Sequence, residues 1–145
     1  MTRIGRQGER GEMQTKSRLD ELARYLPDWD GAGAPAPNAQ SIGNARKIAD
    51  ELEARNLHPD KIAVSVEGGI GFTFKAKVGR AYIECDNDGE IFVAIYGAEL
   101  PAKTWRVPDG KNKLLSAIGK IEELLTPIIP TGWQGERGEG EPYSS

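Results

Sequence analysis

A chain of 145 residues is long enough for one domain with its own apolar core, without metal or disulfide staples. Its net charge of -3 and its lack of any run of five like charges disfavour nucleic acid as the partner. The single cysteine excludes an internal disulfide framework, and no signal-peptide core or 18-residue apolar stretch occurs, so we expect a cytoplasmic protein with no membrane segment.

The two ends of the chain share a polar sequence. Residues 7–12 and 134–139 both read QGERGE, with glycine at every third position around each copy. Three triplets without proline are too few for a collagen triple helix, and the low apolar content is typical of flexible tails. We therefore predict a flexible Gly/Arg/Glu tail over 1–16, a single domain over 17–130 and a flexible Gly/Glu tail over 131–145.

Two amphipathic helices are predicted at the start of the domain. The first is expected to begin at the N-cap Ser17 and to end before Pro27, with its apolar residues at helical spacing: Leu19, Leu22, Ala23 and Leu26. The second is expected to follow the N-cap Asn38 and to end near Asn56, with one apolar stripe formed by Ile42, Ala45, Ile48, Ala49 and Leu52.

From Ile62 onward the apolar spacing changes to alternation, which indicates strands. Four alternating runs are separated by turn residues at 68–69, 79–80 and 87–89. Their apolar positions are Ile62, Val64 and Val66, then Ile70, Phe72, Phe74, Ala76 and Val78, then Ala81, Ile83 and Cys85, then Ile91, Val93 and Ile95. The pattern predicts a four-stranded antiparallel meander and leaves a short fifth strand open over 104–107.

A third helix is predicted from Lys111 to Thr126, before the helix-breaking Pro127. Its inner face would carry Leu114, Leu115, Ile118, Ile121 and Leu125. Because the strands alternate, one sheet face is left for helices to cover. We predict an α+β fold: a four-stranded or five-stranded antiparallel meander with two N-terminal helices and one C-terminal helix packed on one face.

Between the first two helices lies the sequence LPDWDGAGAPAP, and we call its residues 28–35 the WDG loop. In a structural interpretation, which we favour, Trp29 is buried as an anchor that fixes how the two helices meet, and Asp30-Gly31 forms a turn. In the alternative, the loop with His58 binds a small molecule or a metal ion, or acts as a weak enzyme. The residues concerned are Asp28, Trp29, Asp30, Gly31, Gly33 and Pro35.

Other motifs give no site. Residues 86–90, DNDGE, look like the centre of a calcium loop, but the alignment puts Ile95 where a bidentate glutamate must stand, so a hairpin turn is predicted. Cys85 alternates with buried apolar residues and His58 precedes a proline, so a catalytic pair is disfavoured. We predict no catalytic residue, no metal site and no cofactor, and therefore not an enzyme.

The order of these motifs resembles that of a set of small uncharacterised bacterial and phage-associated proteins. The resemblance covers about residues 19–97 and is strongest at WDGxGAxP, where this chain has Trp29, Asp30, Gly31, Gly33, Ala34 and Pro35. A DGGI-like hairpin follows in that set, and here Glu67 replaces its aspartate. Because no activity is established for the set, the resemblance implies the layout and a bacterial or mobile-element origin only.

These observations predict a small non-catalytic protein-binding module, of which an accessory or inhibitor protein of a phage or mobile element is one form. A protein partner or self-association, including pairing at a sheet edge, is expected, whereas nucleic acid and membrane are not. The contact candidates are the aromatic residues Tyr82, Phe92 and Tyr96, nearby Trp105, and the basic residues Lys75, Lys77 and Arg80. A solvated or edge-guarding role for the basic residues stays open.

Overall fold

The computed structural model describes residues 7–97 and 100–126. In chain order, its elements are α1 Gln7–Leu22, α2 Ala39–Ala54, β1 Lys61–Val64, β2 Ile70–Lys75, β3 Arg80–Cys85, β4 Ile91–Gly97, β5 Leu100–Arg106 and α3 Lys111–Leu125. The strands pair with their chain neighbours in the order β1-β2-β3-β4-β5, and every pair is antiparallel. The predicted α+β meander is confirmed, and the fifth strand begins earlier than the predicted 104–107.

Helix α2 begins where the sequence predicts. The Asn38 side chain accepts hydrogen bonds from the backbone N–H groups of Gln40 and Ser41, at 3.0 and 3.1 Å. The Ser41 hydroxyl in turn accepts a bond from the Asn38 backbone N–H at 3.1 Å, which completes a capping box. The N-cap prediction for Asn38 is therefore confirmed.

The predicted bounds of α1 are wrong at both ends. The helix includes Ser17 in its interior, because Thr15 is buried and Lys16 forms an ion pair with Glu53 of α2 at 2.7 Å. The helix ends at Leu22, so Leu26 is not on its inner face and is 72% exposed. Residues 7–16 of the predicted N-terminal tail belong to α1, and residues 131–145 lie outside the described part.

One apolar core joins all three helices to one face of the sheet. The strands supply alternate residues, as predicted, and the helices close over them. The largest fully buried side chains are Leu19 and Leu22 of α1, Ile48 and Leu52 of α2, Ile70, Phe72 and Phe74 of β2, Ile83 and Cys85 of β3, Val93 of β4, and Ile118 and Ile121 of α3. In the described ranges, no helix combines the length and apolar character that crossing a membrane requires.

No helix of residues 7–97 and 100–126 packs on the opposite face of the sheet, and we call it the open face. Its residues are the strand neighbours of the buried ones and follow from the strand register. Three cross-strand rows define it: Thr73, Tyr82, Ala94 and Thr104; Gly71, Glu84, Phe92 and Arg106; and Lys75, Arg80 and Tyr96.

Candidate functional site

Three aromatic side chains lie on the open face along β3 and β4, with Tyr82 in its middle row. Tyr82 lies directly opposite Ala94, and the diagonal neighbours of Tyr82 on β4 are Phe92 and Tyr96. Tyr82 and Phe92 are half-buried although none of the three described helices covers them, and Tyr96 is 45% exposed. The placement of all three aromatic contact candidates off the inner face is as predicted.

The Tyr82 ring lies flat across β2. A Cβ atom at Gly71 would overlap the Tyr82 hydroxyl and would come within 2.7 Å of its Cζ, so only glycine fits beneath this ring. The hydroxyl donates a hydrogen bond to Glu84 Oε1 at 3.1 Å. Burial, and then the charge of Glu84, raises the pKa of Tyr82, so the hydroxyl stays a neutral donor. The ring is therefore held in one orientation.

Basic side chains cluster at one end of the open face, and we define Lys75, Lys77 and Arg80 as the basic end. Lys75 lies directly opposite Arg80, and Arg80 lies opposite Tyr96. Lys77 is in the β2–β3 turn beside Val78, which is 57% exposed. None of the three cations forms an ion pair with any residue that the structure describes. Like charges directly opposite each other repel.

Acidic side chains cluster at the other end, and we define Glu67, Glu84, Asp86 and Asp88 as the acidic end. Burial, followed by the charges of Glu84, Asp88 and Glu67, raises the pKa of Asp86 to about 6. Within the described part of the chain, none of the four carboxylates has an ion-pair partner. The open face is therefore charged oppositely at its two ends.

The hairpin turn predicted for residues 86–90 is confirmed. The Asp86 N–H donates to the Glu90 carbonyl at 2.8 Å, and the Gly89 N–H donates to the Asp86 carbonyl at 3.1 Å. Carboxylate oxygens of Asp86, Asp88 and Glu90 lie within 4.8 Å of one another, a spacing that could hold a cation. Glu90, however, is already paired with Arg106 at 2.9 Å, and exposed carboxylates often gather at turns without a metal.

The carboxylates of the WDG loop bind the backbone of the loop itself. Asp28 Oδ1 accepts from the Gly33 N–H at 2.6 Å, and Asp30 Oδ1 accepts from the Ala32 and Ala34 N–H groups at 2.8 and 3.1 Å. The Asp28 N–H also donates to the Ala34 carbonyl at 2.7 Å. The bonds from Ala32 and then Ala34 lower the pKa of Asp30. The two aspartates therefore close the loop.

Trp29 does not enter the core, so the expectation of a deeply buried indole is wrong. The ring is half-buried and packs on Tyr25, with ring centroids 5.3 Å apart. Its Nε1–H donates to the Pro35 carbonyl at 2.8 Å. Because the chain leaves α1 at Leu22, the loop stands outside the helix-sheet core. Trp29 thus ties the loop end to the segment that follows α1.

A junction that sequence reasoning missed joins the residues after the WDG loop, the start of α2 and the β3–β4 turn. Asn87 Oδ1 accepts from the Asn38 N–H at 2.9 Å and from the Ser41 hydroxyl at 2.7 Å, and Asn87 Nδ2 donates to the Ala36 carbonyl at 3.0 Å. Asn38 Nδ2 returns a bond to the Asn87 carbonyl at 2.7 Å. Gly68 of the β1–β2 turn lies against the same Asn87 side chain and Ala36 carbonyl. The segment after the WDG loop, the β1–β2 turn and the β3–β4 turn therefore meet at one end of the sheet.

The structure does not bring together the groups of the disfavoured catalytic pair. His58 follows the C-terminal end of α2, whose 16 residues span about 24 Å from the junction. Cys85 ends β3 at the opposite end of the sheet, where it is fully buried, and burial raises the pKa of its thiol. His58 is also far from the WDG loop for the same reason, and its Nε2 lies 3.1 Å from Asn56 Oδ1.

Two further features complete the surface. Trp105, which the sequence analysis set near the contact candidates, lies opposite Val93 on the helix-covered face and packs against the core, so it is not part of the open face. A groove of about 1000 Å³ runs between α2, α3 and the β5–α3 connection, and Lys47, Asp50 and Lys111 are among the residues that line it.

Comparisons with protein-family models, curated proteins and solved structures found no match.

Proposed function

We propose that this chain is a small non-catalytic protein-binding module whose contact surface is the open face. The observation that carries the proposal is the set of solvent-accessible aromatic residues, Tyr82, Phe92 and Tyr96, which runs from the basic end to the acidic end of the open face, and neither end has an ion-pair partner in the described chain. Protein interfaces are enriched in tyrosine, phenylalanine and arginine, and flanking charges select the partner and its orientation.

The charge distribution favours a protein over nucleic acid as the partner. A nucleic-acid surface needs a continuous basic stripe, whereas here the basic end is followed along the same strands by the acidic end. The preformed geometry also supports binding, since Gly71 and Glu84 hold the Tyr82 ring in place before any partner arrives. A fixed aromatic side chain loses little conformational entropy when it is covered.

The proposal that the module is non-catalytic is supported by the positions of Cys85 and His58, the nucleophile and base that the sequence analysis considered. Cys85 is inaccessible, its raised pKa disfavours the reactive thiolate, and His58 lies at the other end of the sheet. The alternative of a ligand-binding or weakly catalytic WDG loop finds less support, because Asp28 and Asp30 already accept hydrogen bonds from the loop backbone.

We extend the proposal to the setting of the protein. A cytoplasmic location is supported by a single cysteine that is buried and unpaired. An accessory or inhibitor role of the kind that phages and mobile elements encode rests on the resemblance at the WDG loop alone.

The test compares proteins captured from an extract of the source cell by three immobilised forms. These are the wild type, the open-face variant Tyr96→Ala/Lys75→Glu, and the control Leu26→Ala/Lys120→Glu, which changes an apolar and a basic residue that are exposed elsewhere. Quantitative mass spectrometry should find at least one protein retained by the wild type and the control and lost by the open-face variant. Equal capture by all three forms would contradict the proposal.

A further inference from the structure

The two charged ends of the open face lie along the same strands. Arg80 and Glu84 are both on β3 and point to the same side, four residues apart, which corresponds to about 14 Å. Between them lies Tyr82, and beside it Ala94 and the two aromatic residues of β4. The sequence of features along the strand direction is therefore basic, aromatic, acidic.

Such a surface is complementary to itself under one kind of two-fold rotation. If the axis lies in the plane of the face and runs across the strands, it reverses the strand direction, so the basic end of one copy meets the acidic end of the other. The row of Tyr82 and Ala94 then lies near the axis and meets its own copy. An axis along the strands would instead place like charges together. Two-fold interfaces require this kind of self-complementarity.

We propose that two copies of this chain pair through their open faces about a two-fold axis across the strands, with Lys75 and Arg80 of each copy against the acidic end of the other. This inference rests on the proposed function and names its partner as a second copy. Pairing covers Tyr82, Phe92 and Tyr96 and gives the side chains of both charged ends ion-pair partners, of which the described chain supplies none. The dimer is therefore weakened by salt.

The like charges within each end make this pairing favourable. Lys75 and Arg80 lie directly opposite each other on β2 and β3. Asp86 is subject to electrostatic repulsion from Glu84, Asp88 and Glu67. The acidic cluster repels itself in the isolated chain, and an opposing cluster of cations offsets that repulsion. The edge of β1 offers less to a second copy, because Arg18 Nε of α1 already donates to the Ile62 carbonyl at 2.9 Å.

Two charge-reversal variants test the pairing. The variant Lys75→Glu/Arg80→Glu reverses two of the three charges of the basic end, and the variant Glu67→Lys/Asp88→Lys reverses two of the four charges of the acidic end. All four side chains are exposed, so both variants are expected to fold, and thermal unfolding checks this. The control is Lys120→Glu, an exposed position on α3 away from the open face.

Sedimentation velocity over a range of concentrations measures the dimer dissociation constant. We expect a dimer for the wild type and the control, at least about tenfold weaker pairing for each variant alone, and a restored one-to-one complex when the two variants are mixed. The inference would be overturned if the wild type stays monomeric or if neither charge reversal changes the dimer dissociation constant. It would also be overturned if mixing the two variants does not restore pairing. If the wild type is monomeric but the open-face variant still loses a protein from the extract, the proposed function stands and only self-pairing is wrong.

Discussion

Replacing Asn87 by alanine should test the junction that holds the β3–β4 turn against the start of α2. The change removes three hydrogen bonds: those from the Asn38 N–H and the Ser41 hydroxyl, and the one to the Ala36 carbonyl. At about 1 kcal/mol for each bond, the loss is about 3 kcal/mol. Asn38 keeps a second bond to the Ser41 hydroxyl at 3.1 Å, so we expect the free energy of unfolding to fall by about 2 kcal/mol.

Urea unfolding of the wild type and Asn87→Ala measures this difference, and Asn112→Ala serves as the matched control because Asn112 is exposed on α3. Asn38→Ala should lose a similar amount, since it removes the helix cap and the bond to the Asn87 carbonyl. The double variant should lose less than the sum, because the two residues share bonds. An Asn87→Ala protein within about 0.5 kcal/mol of the control would refute the account of the junction.

Three further substitutions have defined outcomes. Gly71→Ala should displace the Tyr82 ring and lower the unfolding free energy by about 1–3 kcal/mol, and Tyr82→Ala should abolish that extra cost in a double-mutant cycle. The raised pKa of Asp86 makes protonation favour the folded state, so wild-type stability should rise as the pH falls from 7 through about 6, whereas Asp86→Asn should be more stable at pH 7 and lack this rise. Thermal unfolding at pH 7 and pH 5 would show it, and an equal pH response in both proteins would contradict it. Trp29→Phe should cost about 1 kcal/mol in urea unfolding, for the bond to Pro35, and a loss of several kcal/mol would instead indicate a core role.

The local patterns predicted most of the fold. Alternating apolar residues such as Phe72 and Phe74 fixed the strands and their inner face, since side chains alternate along any strand. The cap at Asn38 was also predictable, because its hydrogen bonds run to residues two and three positions away. The start of α1 was not predictable from local patterns, because its extra N-terminal turns depend on contacts such as the ion pair between Lys16 and Glu53.

The candidate site could be predicted only in part. The register of β3 and β4 follows from a tight turn, so Tyr82, Phe92 and Tyr96 were placed on the correct side. The face on which Trp105 lies was not predicted, because a short strand without a known register does not assign its faces. The bond between Asn38 and Asn87 joins residues 49 positions apart, and neither residue alone signals it. The separation of charge along the open face likewise appears only once the strands are paired.

The central claim is that this protein binds its partner through the open face. Hydroxyl-radical footprinting with mass spectrometry, on the isolated chain and on its assembled or partner-bound form, tests that claim directly. The account predicts that Tyr82, Phe92 and Tyr96 become protected from oxidation. Leu26, which is 72% exposed just before the WDG loop, should keep its reactivity. Protection at Leu26 and Trp29 with an unchanged open face would contradict it and favour the WDG loop as the site.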